Sequence, residues 1–192
     1  MKLYLASTSK YKSNILNQVH LKHTCLSCLY VEDSQQTNVY EYVKELSLGK
    51  AKSVLNQIES GLVIGLDTVV YINDQIIEKP KSKAEAKNNL KICSDYPCLV
   101  ITGIAVINVN TNEIVSTFAE TKVTMNKISE NDLEYYIKNE KDVMNVSGFI
   151  IENIASNFID KIEGSYYNIL GIPVESIYKI INKMGYDLSD IK

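Results

Sequence analysis

Arginine is missing from this chain altogether: every one of its 20 basic residues is a lysine. Any phosphate site must therefore be built from lysine point charges and backbone N–H groups, without the two-pronged fork of a guanidinium. An excess of positive charge is missing too. With a net charge of −3 and a pI of about 5.5, neither a nucleic-acid backbone nor an acidic membrane surface is the expected partner. No stretch approaches the roughly 20 apolar residues that a membrane helix needs. The longest apolar-rich run, Cys98–Val109, is broken by Thr102, Gly103 and Asn108. The apolar core at the N-terminus, Leu3–Ala6, is too short for a secretion signal, so the four cysteines are expected to be reduced thiols in the cytoplasm. Internal repeats, low-complexity tracts and linkers are not evident. What remains is an ordinary globular composition, 45% apolar and 22% charged. Its 192 residues suffice for one domain spanning 1–192, large enough to form two lobes, with a polar, loose tail from about Tyr186.

The residues that are present centre on one stretch, 63–80. Val63, Ile64 and Val69–Ile72 are β-branched and aromatic, the composition of buried strands. Asp67 interrupts that run, and a buried carboxylate is costly unless a cation, a metal or several N–H groups meet it. One reading is a metal-binding or base carboxylate at a strand end, with Lys79 nearby to hold an anion; the other is a turn aspartate beside a solvated lysine.

Strands and helices mix along the rest of the chain. Leu3–Ala6 reads as a strand and Lys10–Val19 as a helix, with the hydroxyl-rich turn Ser7-Thr8-Ser9 between them. Such a turn suits either a phosphate cradle at a helix N-terminus, helped by Lys10 and Lys12, or a plain Ser9 cap. His20, His23, Cys25 and Cys28 crowd together, but their order and spacing do not fit a zinc module, and a strand over Leu26–Val31 sends the two cysteines to opposite faces. Cys93 and Cys98 read as small buried apolar residues. A helix over Tyr40–Ile58 has Val43, Leu46, Ala51, Val54, Leu55 and Ile58 at a 3.6-residue period, with Lys50 among them. Ser82-Lys-Ala-Glu85 is a capping-box pattern opening a helix to about Ile92. Leu99–Val109 and Ile114–Val123 form a hairpin, Ser129 caps another helix, and Asn157–Ile162 reads as a strand. A closing helix runs to about Met184, and residues 144–157 show no clean period. The expected fold is α/β, with a mixed, strongly twisted sheet flanked by helices and a cleft.

Four blocks in this order resemble the Maf (septum-formation-inhibitor-like) nucleoside triphosphate pyrophosphatases: Leu5-Ala-Ser-Thr-Ser9; Leu46-x-x-x-Lys50-Ala51; Gly65-Leu-Asp67-Thr-Val-Val with Glu78-Lys79-Pro80; and Gly164-Ser-Tyr-Tyr-Asn168 with Gly171-Ile-Pro173. The resemblance runs from about residue 3 to 184. It implies a fold like that of inosine triphosphate pyrophosphatases, with two lobes around a substrate cleft, and hydrolysis of a nucleoside triphosphate at the α–β bond to a nucleoside monophosphate and pyrophosphate. It also implies a divalent metal, Mg²⁺ or another such as Mn²⁺, and a homodimer as a candidate assembly. Asp67 matches the family's catalytic acid, Lys50 and Lys79 its lysines, and Ser7 and Ser9 its phosphate loop with Lys12. The resemblance makes Glu32 (or Asp33) a second acidic residue near the metal.

Two departures accompany the match. The family's Pro-Arg-Arg is Lys10-Tyr11-Lys12 here, and Met144–Asn153 lacks the acid and lysine of the family's block and carries Glu152 where a glutamine is usual. Three positions that the family associates with base choice fall on Tyr11, Thr68 and Glu152. Thr68 resembles the dTTP/UTP type; Tyr11 and Glu152 resemble the 7-methyl-GTP type. An ionised glutamate accepts but does not donate hydrogen bonds, which suits the N1–H and N2–H₂ donors of guanine. Tyr11 stacked on a cationic methylated guanine would add ~0.5–2 kcal/mol. The expectation is therefore a nucleoside triphosphate pyrophosphatase of the guanine or 7-methylguanine type. The alternatives are a dTTP/UTP-type enzyme, or a catalytically impaired nucleotide-binding regulator of cell division.

Overall fold

The computed structural model describes residues 1–192. Its first strand, β1 (Leu3–Ala6), lies between two parallel neighbours, β2 (Thr24–Leu26) and β3 (Leu62–Ile72), in register Leu5↔Cys25 and Leu5↔Ile64. Helix α1 (Lys10–Gln18) makes the crossover from β1 to β2. After α2 (Val39–Lys52) comes β3, which turns back into the short β4 (Gln75–Ile77). Helix α3 (Lys83–Asp95) leads to the hairpin of β5 (Cys98–Asn108) and β6 (Glu113–Met125), and α4 (Glu130–Asn139) to β7 (Ile159–Glu163), antiparallel to β6. The short α5 (Tyr166–Ile169) and α6 (Val174–Lys183) close the chain. The sheet order is β2-β1-β3-β5-β6-β7 with β4 on β3, so the sheet is mixed and helix-flanked, as expected. No helix is long and apolar enough to cross a membrane.

Several local expectations are revised. The strand expected to Val31 ends at Leu26, because its partner β1 is only four residues long and the ladder runs out at Ala6↔Leu26. The helix expected to Ile58 stops at Lys52, where Ser53 Oγ donates to the Lys50 carbonyl at 2.8 Å and competes with the helical ladder. Only a 3₁₀ turn, Leu55–Gln57, follows. Ser82 caps α3 by accepting from Glu85 N–H, but Glu85 reaches back to Lys81 N–H (2.7 Å) instead of to the cap residue. The hairpin at β4 was not anticipated; Asn73 and Asp74 both adopt positive φ (47° and 61°), the geometry of a two-residue turn matched to strand twist.

The chain divides into two compact units. The first comprises Met1–Thr68, Thr102–Ala119 and Leu170–Lys192. Its core joins Leu5, Leu16, Ile64, Ile104 and Ile172 with the Ile177, Ile180 and Ile181 stripe of α6. Each such side chain contributes about 1.5–3 kcal/mol on burial. The tail expected to be loose is pinned here: Ile191 enters this core and Lys192 N–H donates to the Met1 carbonyl at 3.0 Å.

The second unit comprises Val69–Ile101 and Glu120–Ile169. Residues 144–157 lack a period because side chains, not a ladder, hold them. Ile150 N–H donates to the Tyr136 hydroxyl (3.1 Å), and the buried Glu140 carboxylate accepts from Asn153 Nδ2 (3.0 Å) and Ile154 N–H (3.4 Å). The motif ending in Asn168 is a knot of the same kind. Asn168 Nδ2 donates to the Val100 carbonyl (2.9 Å) and to Thr121 Oγ1 (3.1 Å), which also accepts from Ser165 N–H (3.0 Å).

Burial pushes the Tyr136 phenol up to about 12. A group whose folded pKa exceeds its unfolded one stabilises fully below the unfolded value and ceases to as pH rises through the folded value. Between pH 10 and 12 the protein is therefore expected to lose about 2 kcal/mol through Tyr136. Urea unfolding across that range should show a shallower loss for Tyr136→Phe; identical slopes for the two proteins would exclude this origin.

Candidate functional site

Two glycines set the site's geometry. Helix α2 lies against β3 and β5 where these carry Gly65 and Gly103. A Cβ on Gly65 would stand 2.1 Å from the Ser47 carbonyl oxygen, and one on Gly103 1.9 Å from that of Val43. Helix backbone thus meets strand backbone directly, with Val43, Leu46, Ser47 and Ala51 as the buried face of α2. This approach brings Lys50 onto β3.

Lys50 Nζ donates to Asp67 Oδ1 at 2.6 Å and pairs with Glu32 Oε1, also at 2.6 Å. The lysine and aspartate side chains are 15% and 11% exposed and Glu32 is 49% exposed, so a largely buried pair opens to solvent on the glutamate side. Burial alone would pull the Lys50 ammonium down, but the charges and hydrogen bonds of Asp67 and Glu32 outweigh it and hold the group above its ordinary 10.5. It is cationic at every physiological pH, and its stabilising effect is lost only in alkali beyond that value. Asp67 does not sit at a strand end, as expected from the sequence, but inside the eleven-residue β3. The strand tolerates a carboxylate there because Lys50 meets it.

The serine loop does what a cap does. Ser9 Oγ accepts from Lys12 N–H (3.4 Å) and Ser7 Oγ from Ser9 N–H (3.1 Å), so the two hydroxyls order the start of α1, whose first turn holds no acidic residue. Thr68, beside Asp67, shares a 3.0 Å hydrogen bond with the hydroxyl of the buried Thr102. Gly171 closes on both Thr68 and Lys12. At its φ of +73°, which disfavours any side chain, a Cβ would stand 3.0 Å from Thr68 Oγ1 and 3.5 Å from Lys12 Cε. Tyr11 is 39% exposed on α1. Burial, then the carboxylates of Glu45, Asp33 and Glu32, push the Tyr30 phenol up, which places that ring at the same acidic edge.

The first unit therefore gathers Glu32, Lys50 and Asp67 at one point and Lys12 with Thr68 at another. Lys79 and Glu152 belong to the second unit and are both exposed there. Lys79 follows Glu78, whose carbonyl accepts from Asn89 Nδ2 at 3.1 Å. Glu152 lies near Tyr166, whose phenol is pushed up by burial and by that carboxylate. The zinc reading of residues 20–28 finds no support: His23 spends its ring nitrogens on the Leu21 carbonyl and Ser13 Oγ (both 2.8 Å), and Cys25 is exposed. Sequence reasoning had no role for Tyr30, Thr102 or the packing glycines. Gly65 and Gly171 stood within recognisable blocks, yet nothing in a one-dimensional pattern tells which backbone a glycine will touch.

Comparison with known proteins adds context to this geometry. A family described as Maf-like protein matches residues 2–184. A protein of Thermoanaerobacter sp. (strain X514) named dTTP/UTP pyrophosphatase is 32% identical over 184 residues, 95% of this chain and 96% of its own. Proteins of the same name from Methanosarcina barkeri and Clostridium botulinum (strain 657) are 31% and 33% identical, the former over 97% of this chain and 95% of its own, the latter over 97% and 98%. Among solved structures, the Ham1 protein of Staphylococcus aureus matches 65% of this chain and 72% of its own with a TM-score of 0.46 and 12% identity.

Proposed function

The chain belongs to the Maf-like family, and from that premise we propose that it is a metal-dependent nucleoside triphosphate pyrophosphatase, cleaving the α–β bond to release pyrophosphate and a nucleoside monophosphate. The observation that carries this is the convergence of Asp67 and Glu32 on Lys50. Two carboxylates that already share one cation are hard oxygen donors of the kind Mg²⁺ and Mn²⁺ select, and no larger cluster of acidic, His or Cys side chains surrounds them. That set fits a Mg²⁺-type ion held by one or two carboxylates, with the remaining positions left to phosphate and water. Asp67 and Glu32 would hold it, and when bound it would neutralise charge building on the leaving pyrophosphate.

The chain's own groups divide the remaining work. Asp67 orients the attacking water and accepts its proton as the water's oxygen bonds to the α-phosphorus. Lys50 supplies a permanent positive charge beside that point, and Lys79 and Lys12 are the further phosphate-binding cations. Without arginine these are point charges, so the amide groups at the start of α1 and the Ser7 and Ser9 loop supply the directional contacts.

Base choice has two readings. The relatives' name favours dTTP and UTP, which Thr68 suits. Tyr11 and the exposed Glu152 favour a guanine or 7-methylguanine base, through stacking and carboxylate acceptance of N1–H and N2–H₂. Pyrophosphate release measured over dTTP, UTP, GTP and 7-methyl-GTP with Mg²⁺ and Mn²⁺ decides both the activity and the base. Folded protein that releases nothing from any of them sinks the enzyme reading, and tight binding without product then favours a nucleotide-binding regulator. If Glu152 reads guanine, Glu152→Gln shifts the guanine-to-pyrimidine ratio of kcat/KM by about tenfold toward the pyrimidines. An unchanged ratio removes Glu152 from base recognition.

A further inference from the structure

Glu32 sits in a segment whose own backbone does little to hold it. From Ser27 to Thr37 no ladder or helix orders the chain. The hydrogen bonds of its backbone are short-range: Asp33 N–H to the Val31 carbonyl (3.1 Å), Gln36 N–H to Ser34 Oγ (3.3 Å), and the Gln35 side-chain amide to the Asp33 carbonyl (3.1 Å). Cys28 packs against the core where the segment leaves β2, but Leu29 and Val31 are 88% and 71% exposed and anchor nothing. Tyr30, between them, is different. Its ring covers Gly49 on α2 so closely that a Cβ there would stand 2.3 Å from two ring carbons. Glycine is an unfavourable residue in a helix interior, and here the missing side chain is the notch that the ring fills. Gly49 directly precedes Lys50, and Glu32 follows Tyr30 by two residues, so the ring fixes the segment next to the ion pair that Glu32 makes.

We propose that Tyr30 is a positioning residue for the site: its ring, seated in the notch of Gly49, holds the 27–37 segment on α2 so that Glu32 meets Lys50 beside Asp67. The consequence for catalysis rests on the pyrophosphatase reading, in which Glu32 is a cation ligand; the docking of the segment does not.

Mn²⁺ binding followed by electron paramagnetic resonance without nucleotide, amide hydrogen exchange, and pyrophosphate release together test it. Tyr30→Ala is expected to weaken Mn²⁺ binding about tenfold and to raise the Mn²⁺ concentration for half-maximal rate by the same factor, with a smaller change in kcat. Amides of residues 31–37 should exchange faster while α2 stays protected. Tyr30→Phe keeps the ring and should stay within about twofold of the unaltered protein on the same measurements. Gly49→Ala expels the ring and should match Tyr30→Ala, and the two together should lose no more than either alone. Likewise, Tyr30→Ala should add nothing to the loss caused by Glu32→Gln. Unchanged exchange and Mn²⁺ binding in Tyr30→Ala overturn the proposal, as do losses that multiply with those of Glu32→Gln. If the unaltered protein releases no pyrophosphate, the pyrophosphatase reading fails, while the exchange and Mn²⁺ comparisons still decide the role of Tyr30.

Discussion

Asp67→Asn is expected to lower pyrophosphate release on the order of 10²-fold or more while leaving the protein folded. The amide keeps the shape of the side chain inside β3 and still offers Lys50 an oxygen, so packing survives. It cannot take a proton from water, and it brings no negative charge to a divalent ion. Lys50 retains the Glu32 carboxylate at 2.6 Å, so its charge is not stranded. The stability cost should therefore stay within about 1.5–3 kcal/mol, what one hydrogen bond to a charged group contributes. Steady-state pyrophosphate assays and urea unfolding on the same preparation separate the two effects. A variant that keeps more than about a tenth of the activity would show that Asp67 takes no part in moving the proton.

Gly65→Ala should be strongly destabilising, at about 3 kcal/mol or more. A methyl group there would sit 2.1 Å from the Ser47 carbonyl oxygen, 2.8 Å from Ala51 N and 2.9 Å from Ala51 Cβ. Two of these neighbours are backbone atoms of α2 that no rotamer change can move, so the helix itself must lift from β3. Lys50 rides on that helix, and a displacement of about 1 Å in a catalytic group can cost 10²-fold in rate. Both losses should appear together, in unfolding midpoint and in kcat. A Gly65→Ala protein with unaltered stability would mean that α2 has room to spare, contrary to the contact described. One with unaltered kcat would mean that Lys50 does not need its present place.

The path from sequence to site was uneven for physical reasons. Periodicity found α1 and the Ile177, Ile180 and Ile181 stripe, because burial of one face imposes its period on the residues, whereas β1 and β5, buried along nearly their whole length, showed as continuous apolar runs. It lost β4, whose three residues are too few to show alternation, and residues 144–157, which are held by Tyr136 of α4 and by Glu140 just after that helix. It read Asp67 as a strand-end residue because a lone carboxylate in an apolar run looks like an interruption. Only the arrival of Lys50 from another element makes it compatible with a strand interior.

The chain by itself determined the residue types: lysines without arginine, one acidic side chain in an apolar strand, hydroxyls ahead of a helix, and the ordered blocks of the Maf-like family. Those are local, and local chemistry is written in the order of residues. Tertiary structure decided which of them meet. Glu32, Lys50 and Asp67 come from a loop, a helix and a strand, and they converge because Gly65 and Gly103 let α2 settle on the sheet and Gly49 gives Tyr30 a seat. A glycine's contribution there is the space it leaves, and that space is defined only once the neighbouring backbone is in place.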